Sequence, residues 1–153
     1  MTDRPNLRRP WNQDVADCMW LARFTDKVRL HLTGGLNEDF EPFFGHKLAT
    51  DGAFIDFFAI KLDEFVAVVK SAPNSDEAVS TWFIQQPGIS PDRIKVWNDG
   101  AFDLGKEGKP MARAFSWARR KYYGGANADP GVVSVFSGIA WDEGYLDEMP
   151  DSG

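Results

Sequence analysis

Residues 20–32 read WLARFTDKVRLHL, and no other stretch limits so sharply what this chain can fold into. Charges at Arg23, Asp26, Lys27 and Arg29 are threaded between Trp20, Leu21, Phe24, Val28, Leu30 and Leu32. At about 100° per residue, Phe24, Val28, Leu21, Leu32, Thr25 and Cys18 share one broad apolar arc. Arg23, Asp26 and Lys27 fall on the opposite arc, but Met19 and Leu30 fall there too, with Trp20 at its border. A helix with apolar residues on nearly every side is a buried helix. Its charges are then flanked by apolar atoms, where they are costly unless paired.

Asp26 lies three residues from both Arg23 and Arg29, so either can neutralise it along the helix. Lys27 has only Arg23 at four-residue spacing, a like charge, and needs an acid elsewhere or a path to water along its stem. A cation left over in a half-buried place is what an anion pocket contains. Arg23, Lys27 and Arg29 are therefore the candidate ligand-binding residues. Structural ion pairs locking the helix to its neighbours are the competing account.

The remainder of the chain reads as helices. Asn12 is expected to cap a first helix that runs to about Thr33, where Gly34 and Gly35 stop it. DGAFIDFFAI follows with Asp51 as its cap, then KLDEFVAVVKSA, whose Leu62, Phe65, Val66 and Val69 recur at three and four residues. NSDEAVSTWFIQQ opens with Asn74 and has Glu77 three positions on, a capping-box pattern. SPDRIKVWNDG has Ser90 as cap and Pro91 in the first turn. KPMARAFSWARRKYYGG runs from Pro110 to the glycines at 124 and 125. DPGVVSVFSGIAW leaves either a short helix or a strand open from Asp129; only VVSVF resembles a strand, and one strand makes no sheet. The expected fold is all-α, a compact helical bundle of about six helices with long irregular loops. The 153 residues favour one globular domain, 1–153, with an extended lead-in at 1–11 and a solvated acidic tail at 142–153.

Composition narrows the function classes. Six Trp and twelve Phe call for a core or cleft built on large rings. The one cysteine, Cys18, excludes an internal disulfide and any multi-cysteine metal site, and reads as a small buried residue on the first helix. Net charge is −6. Setting aside the tail acids Asp142, Glu143, Asp147, Glu148 and Asp151 leaves the body nearly neutral, which argues against a nucleic-acid partner. The start of the chain has no apolar central region and FVAVV is far too short to span a membrane, so the cytoplasm is the expected compartment and no membrane is expected.

Three motifs carry little. Gly100 to Glu107 fits most of the phosphate-loop spacing, but Glu107 stands where Ser or Thr should hold magnesium, and no strand precedes it. His31 and His46 are the only histidines. No metal and no cofactor is expected, and were a metal bound, His46 and Asp51 are the residues to test. ARRKYYGG sets Arg119, Arg120 and Lys121 beside two tyrosines. Cations in a last turn suit the helix dipole and tyrosines plug the end of a core, so this cluster reads as structural.

LARFTDKVRLHLTGGL resembles the opening pattern of domain-of-unknown-function family 5069, in which an Arg, an Asp-Lys pair and a second Arg recur with this spacing. Arg23, Asp26, Lys27 and Arg29 match it. HKLATDGAFIDFFAI resembles the family's second block, with Asp51 and Phe57 at the matching positions, and SDEAVSTWF its third, with Trp82. The resemblance is good over residues 12–86. The loop before Asp51, the insert at 99–109 and the tail depart from it. It implies a shared fold and a shared opening helix, and assigns no chemistry.

The function expected from these residues is binding of a protein partner or small anionic ligand through the charged cluster. The alternative is an enzyme acting on a small acidic substrate between the first helix and the 40–51 loop. Lys27 or Arg23 would bind the substrate there, and Asp26, His46 or Asp51 would move protons. A purely structural network, with the real site elsewhere, around Trp97 and Trp117 for example, is the third possibility.

Overall fold

A computed structural model of the chain describes residues 7–150. All of its regular structure is helical, with no strand among the described residues: α1 Leu21–Thr33, α2 Thr50–Phe58, α3 Leu62–Ser71, α4 Asp76–Ile84, α5 Pro91–Ala101, α6 Ala112–Tyr122 and α7 Val135–Glu143. Three single turns of 3-10 helix add to these. The all-α expectation holds. The helix beyond the expected six is α7, which the β-branched VVSVF obscured; Ser134 caps it, accepting from the Ser137 backbone N–H. The chain divides into two units, Met1–Asn98 and Asp99–Gly153, and α5 crosses the boundary.

In the first unit α1 packs against α3 and α4, and α3 against α4. The core is aromatic. Phe24 meets Phe65 edge-on at 4.9 Å and Phe54 at 5.9 Å. Phe54 also meets Phe58 and Trp97, and Phe58 meets Phe83. Such ring pairs contribute about 0.5–1.5 kcal/mol each beyond their buried area. The first two turns of α1 are buried on almost every side, including Arg23 and Lys27. The last turn is not: Leu32 is exposed there.

The first helix starts eight residues later than the Asn12 cap implies, at Leu21 behind Trp20. Ala16, Asp17 and Trp20 adopt left-handed backbone conformations, with φ of 55°, 56° and 75°, and L-residues in that region cannot continue a right-handed helix. The Trp20 N–H donates to the Pro10 carbonyl (2.8 Å) and the Met19 N–H to Asn98 Oδ1 (2.9 Å), so long-range bonds replace helical ones. Cys18 is buried as expected but lies in this turn region, outside α1. Gly34, at φ 73°, ends the helix as expected.

Other caps shift by a residue or two. Ser75, in place of Asn74, caps α4 by accepting from the Ala78 N–H. Pro110 stands outside α6, behind Met111 in a left-handed conformation. Asp51 lies inside the first turn of α2 and its carboxylate faces the core.

In the second unit α6 packs against α7. A Cβ on Gly138 of α7 would come within 2.6 Å of the Tyr123 ring, so only glycine admits that ring. The acidic tail is folded as far as it is described. Asp142 and Glu143 complete α7, and Tyr145 behind them is buried. Asp151 lies outside the described residues.

Candidate functional site

The second turn of α1 and the first turn of α2 meet over a buried ion pair. Lys27 Nζ donates to Asp51 Oδ2 at 2.6 Å, with the carboxylate fully buried and the lysine side chain 8% exposed. Asp51 takes two further bonds. Trp20 Nε1 donates to Oδ1 at 2.9 Å, and the Gly45 backbone N–H donates to Oδ2 at 3.0 Å. The ammonium also lies 5.5 Å from the Trp20 ring centre and 5.9 Å from that of Phe24. A carboxylate with three donors and an ammonium against two ring faces recover what desolvation costs both charges.

Gly45 reaches Asp51 because the loop before α2 runs hard against that helix. A Cβ on Gly52 would collide with the His46 carbonyl and with Lys47 Cα. His31, at the far end of α1, stacks on Phe44 at 4.4 Å and pairs with Glu41 at 3.0 Å. His31 and Asp51 thus tether the first half of the 41–50 segment, at Glu41, Phe44 and Gly45.

A second cluster lies along the other side of α1, around a residue of the lead-in. The Arg8 guanidinium is clamped between two carboxylates. Nε and Nη2 donate to Asp26 at 3.1 and 3.0 Å, and Nη1 and Nη2 donate to Asp76 at 2.7 and 3.0 Å. The Arg8 backbone N–H also donates to Asp26. Arg29 completes the group, with Nη2 2.9 Å from Asp76 and Nη1 3.6 Å from Asp26. Two guanidiniums and two carboxylates cancel. Burial alone would lower the Arg8 pKa, but the hydrogen bonds to Asp76 and Asp26 outweigh it and raise it above the usual arginine range. Arg8, then its own burial opposing, then Arg29 act on Asp76, and the net effect holds its carboxyl below the usual carboxylate value. Arg23, 2% exposed, donates to the Arg8 carbonyl at 3.3 Å and packs on the Trp20 ring.

The candidates from the sequence therefore divide. Lys27 and Asp51 are in direct contact. Asp26 and Arg29 belong to the Arg8 cluster, and Arg23 bridges to it through the Arg8 carbonyl. His46 is exposed, and its Nδ1 accepts from the Leu48 N–H two residues on. The proton-moving set proposed for an enzyme, Asp26, His46 and Asp51, shares no direct contact among its members. Three members of the clusters escaped the sequence reading. Arg8 lies in the expected extended lead-in, Asp76 has no role of its own in the reading of NSDEAVSTWFIQQ, and Trp20 lies at the border of the α1 polar arc. No local pattern pointed to them, because Asp26 already has Arg23 and Arg29 at three-residue spacing along the helix.

Elsewhere, Cys18 is fully buried, and burial pushes its thiol pKa up, away from nucleophilic use. Trp97 is buried and donates to the Met19 carbonyl at 2.9 Å. A pocket of about 230 Å³ in the second unit lies between Phe102, Val133, Ser134, Leu146 and Met149, with Lys106 at its edge. None of the six candidate residues lines it. Ser134 and Ser137 bond each other and the backbone at the start of α7. Among the described residues no three His, Cys, Asp or Glu side chains gather as a metal site would require, and no helix is long and apolar enough to cross a membrane.

No curated protein matches the chain significantly. The model of a family described as Domain of unknown function (DUF5069) matches residues 7–145, from Leu7 beside the Arg8 clamp to the buried Tyr145. A match over that much of the chain settles membership: this protein belongs to the DUF5069 family.

Proposed function

We propose that the chain is a small binding domain without catalytic chemistry, and that the charges of α1 serve its fold. The observation that supports this is the saturation of Arg8 and Asp51. Arg8 spends its Nε and both terminal nitrogens on two carboxylates, and Asp51 takes a lysine, an indole and a backbone N–H. An anionic ligand at α1 would have to expel a carboxylate already bound bidentately, at a loss comparable to its own gain. An enzyme at this place would have to break the Lys27–Asp51 pair before either group could act.

Thermal melts with phosphate, citrate and malonate as probes, at matched ionic strength, test the reading. The wild-type melting temperature should follow the chloride control. A rise of several degrees that is lost in Arg29→Gln or Lys27→Met, measured against each variant's own baseline, would overturn it and restore an anion site on α1.

A further inference from the structure

Helix α6 carries four cations and no acid: Arg113, Arg119, Arg120 and Lys121. Its buried side is formed by Phe115, and its opposite side reads Arg113, Ser116, Trp117, Arg120 and Lys121, all exposed and recurring at three and four residues. Trp117 is 43% exposed, as is Tyr122 beside it. The two rings meet edge-on at 5.6 Å, and Lys121 Nζ lies 5.1 Å from the Trp117 ring centre and 5.4 Å from that of Tyr122. Arg120 donates to Ser116 on the same helix. Among the described residues no carboxylate forms an ion pair with any of the four cations. This contrasts with α1, where Lys27 and Arg29 meet acids. Dipole effects account for a cation or two in a last turn. They account neither for Arg113 in the first turn nor for a half-exposed indole among the charges.

Resting on the reading of the chain as a binding domain, we infer that the Arg113–Trp117–Arg120–Lys121 face of α6 docks a short acidic segment of a partner protein. The charge is complementary: three cations on one face span about 12 Å of helix, the reach of a few carboxylates on an extended peptide. Trp117 and Tyr122 supply flat apolar area at little cost in side-chain entropy, as interface anchors do. Two other polyanions fit less well. The unit Asp99–Gly153 has nine Asp and Glu against six Lys and Arg, so a nucleic acid running past the stripe would meet repulsion. Lys121 also lies against the Trp117 ring, where a base would need to stack. For an anionic membrane, the face lacks the aliphatic residues that bury into the lipid boundary.

The test is fluorescence anisotropy with a short fluorescein-labelled oligoglutamate as probe, in parallel with an oligothymidylate of matching length and with phosphatidylcholine vesicles containing about a fifth phosphatidylserine. Wild type should bind the oligoglutamate in preference to both, with affinity falling as salt rises. Arg120→Glu combined with Lys121→Glu should weaken binding at least about tenfold, and Trp117→Ala should weaken it while leaving circular dichroism unchanged. Lys70→Glu, an exposed cation at the end of α3, should leave it unchanged. No binding at low salt, preference for the oligothymidylate or the vesicles, or equal loss in Lys70→Glu would overturn the inference. These outcomes are separate from an α1 anion site, which would respond to Arg29→Gln and Lys27→Met.

Discussion

Replacing Asp51 by asparagine changes one oxygen to an NH2 group and should be among the most damaging single substitutions available. The carboxylate is fully buried and receives Lys27, Trp20 and the Gly45 N–H. The amide has one acceptor, so it cannot serve both the Trp20 side and the Lys27–Gly45 side. The stranded Lys27 ammonium dominates the loss, and removing one partner of a buried pair costs about 3–5 kcal/mol. At about 2–4 °C per kcal/mol for a chain of this length, the melting temperature should fall by roughly 6–20 °C. Lys27→Met alone strands a carboxylate that keeps two donors, and should also cost several kcal/mol. In the double variant neither charge remains, and the residual loss is that of the neutral donors left unsatisfied, an N–H of Trp20 or Gly45 and the asparagine NH2, about 1–3 kcal/mol each. The two single losses should thus not be additive, with a coupling of up to about 3 kcal/mol. Urea unfolding followed by tryptophan fluorescence measures all four corners of the cycle. Should Asp51→Asn cost less than about 1 kcal/mol, or should the two losses simply add, the pair is not desolvated and the reasoning fails.

Other consequences can be checked with the same apparatus. Asp76 has its folded pKa lowered, chiefly by the Arg8 hydrogen bond. Its contribution is then fully present above the unfolded value of about 4 and is lost as pH falls through the lower folded value. Urea midpoints should decline below about pH 4, and Asp76→Asn should flatten that decline while lowering stability at neutral pH; an unchanged acid limb would contradict it. Gly52→Ala should destabilise by about 1–3 kcal/mol, because the new methyl meets the backbone of His46 and Lys47 and no movable side-chain tip is there to yield. A loss within error in urea would mean that the loop is free to move off α2. Cys18, buried and with its pKa raised, should react with a thiol reagent only after denaturant is added; rapid modification of the native protein would refute its placement.

Much of this fold can be read from periodicity and punctuation. α3, α4, α5 and α6 follow from three- and four-residue apolar spacing and from Gly, Pro and Ser at their ends. What could not be read depends on contacts distant in sequence. Trp20 sits at φ 75° because the Pro10 carbonyl and the Asp51 carboxylate hold it there, and no local rule starts a helix at such a residue. VVSVF has β-branched residues that suit a strand, but Ser134 and Ser137 form a capping box and α7 starts inside the segment, at Val135. For the cluster, the burial of Arg23 and Lys27 was legible from apolar residues all round the helix. Their partners were not. Arg8 lies 18 residues from Asp26 and 68 from Asp76, and Lys27 lies 24 from Asp51. Sequence spacing shows that a buried charge needs a partner without showing which one it finds.

Lys27 and Arg29 of α1 are held by the protein's own carboxylates, and Lys27 is the better reporter of that. Competitive labelling of native lysines with trace acetic anhydride, read by mass spectrometry, compares Lys27 with the exposed Lys61 and Lys70 in one sample. Held on Asp51 and out of water, Lys27 should react at least about 100-fold more slowly, the factor that an opening free energy of about 2.7 kcal/mol imposes. Reaction at a rate close to that of Lys61 and Lys70 would contradict the account and return the amine to the solvent.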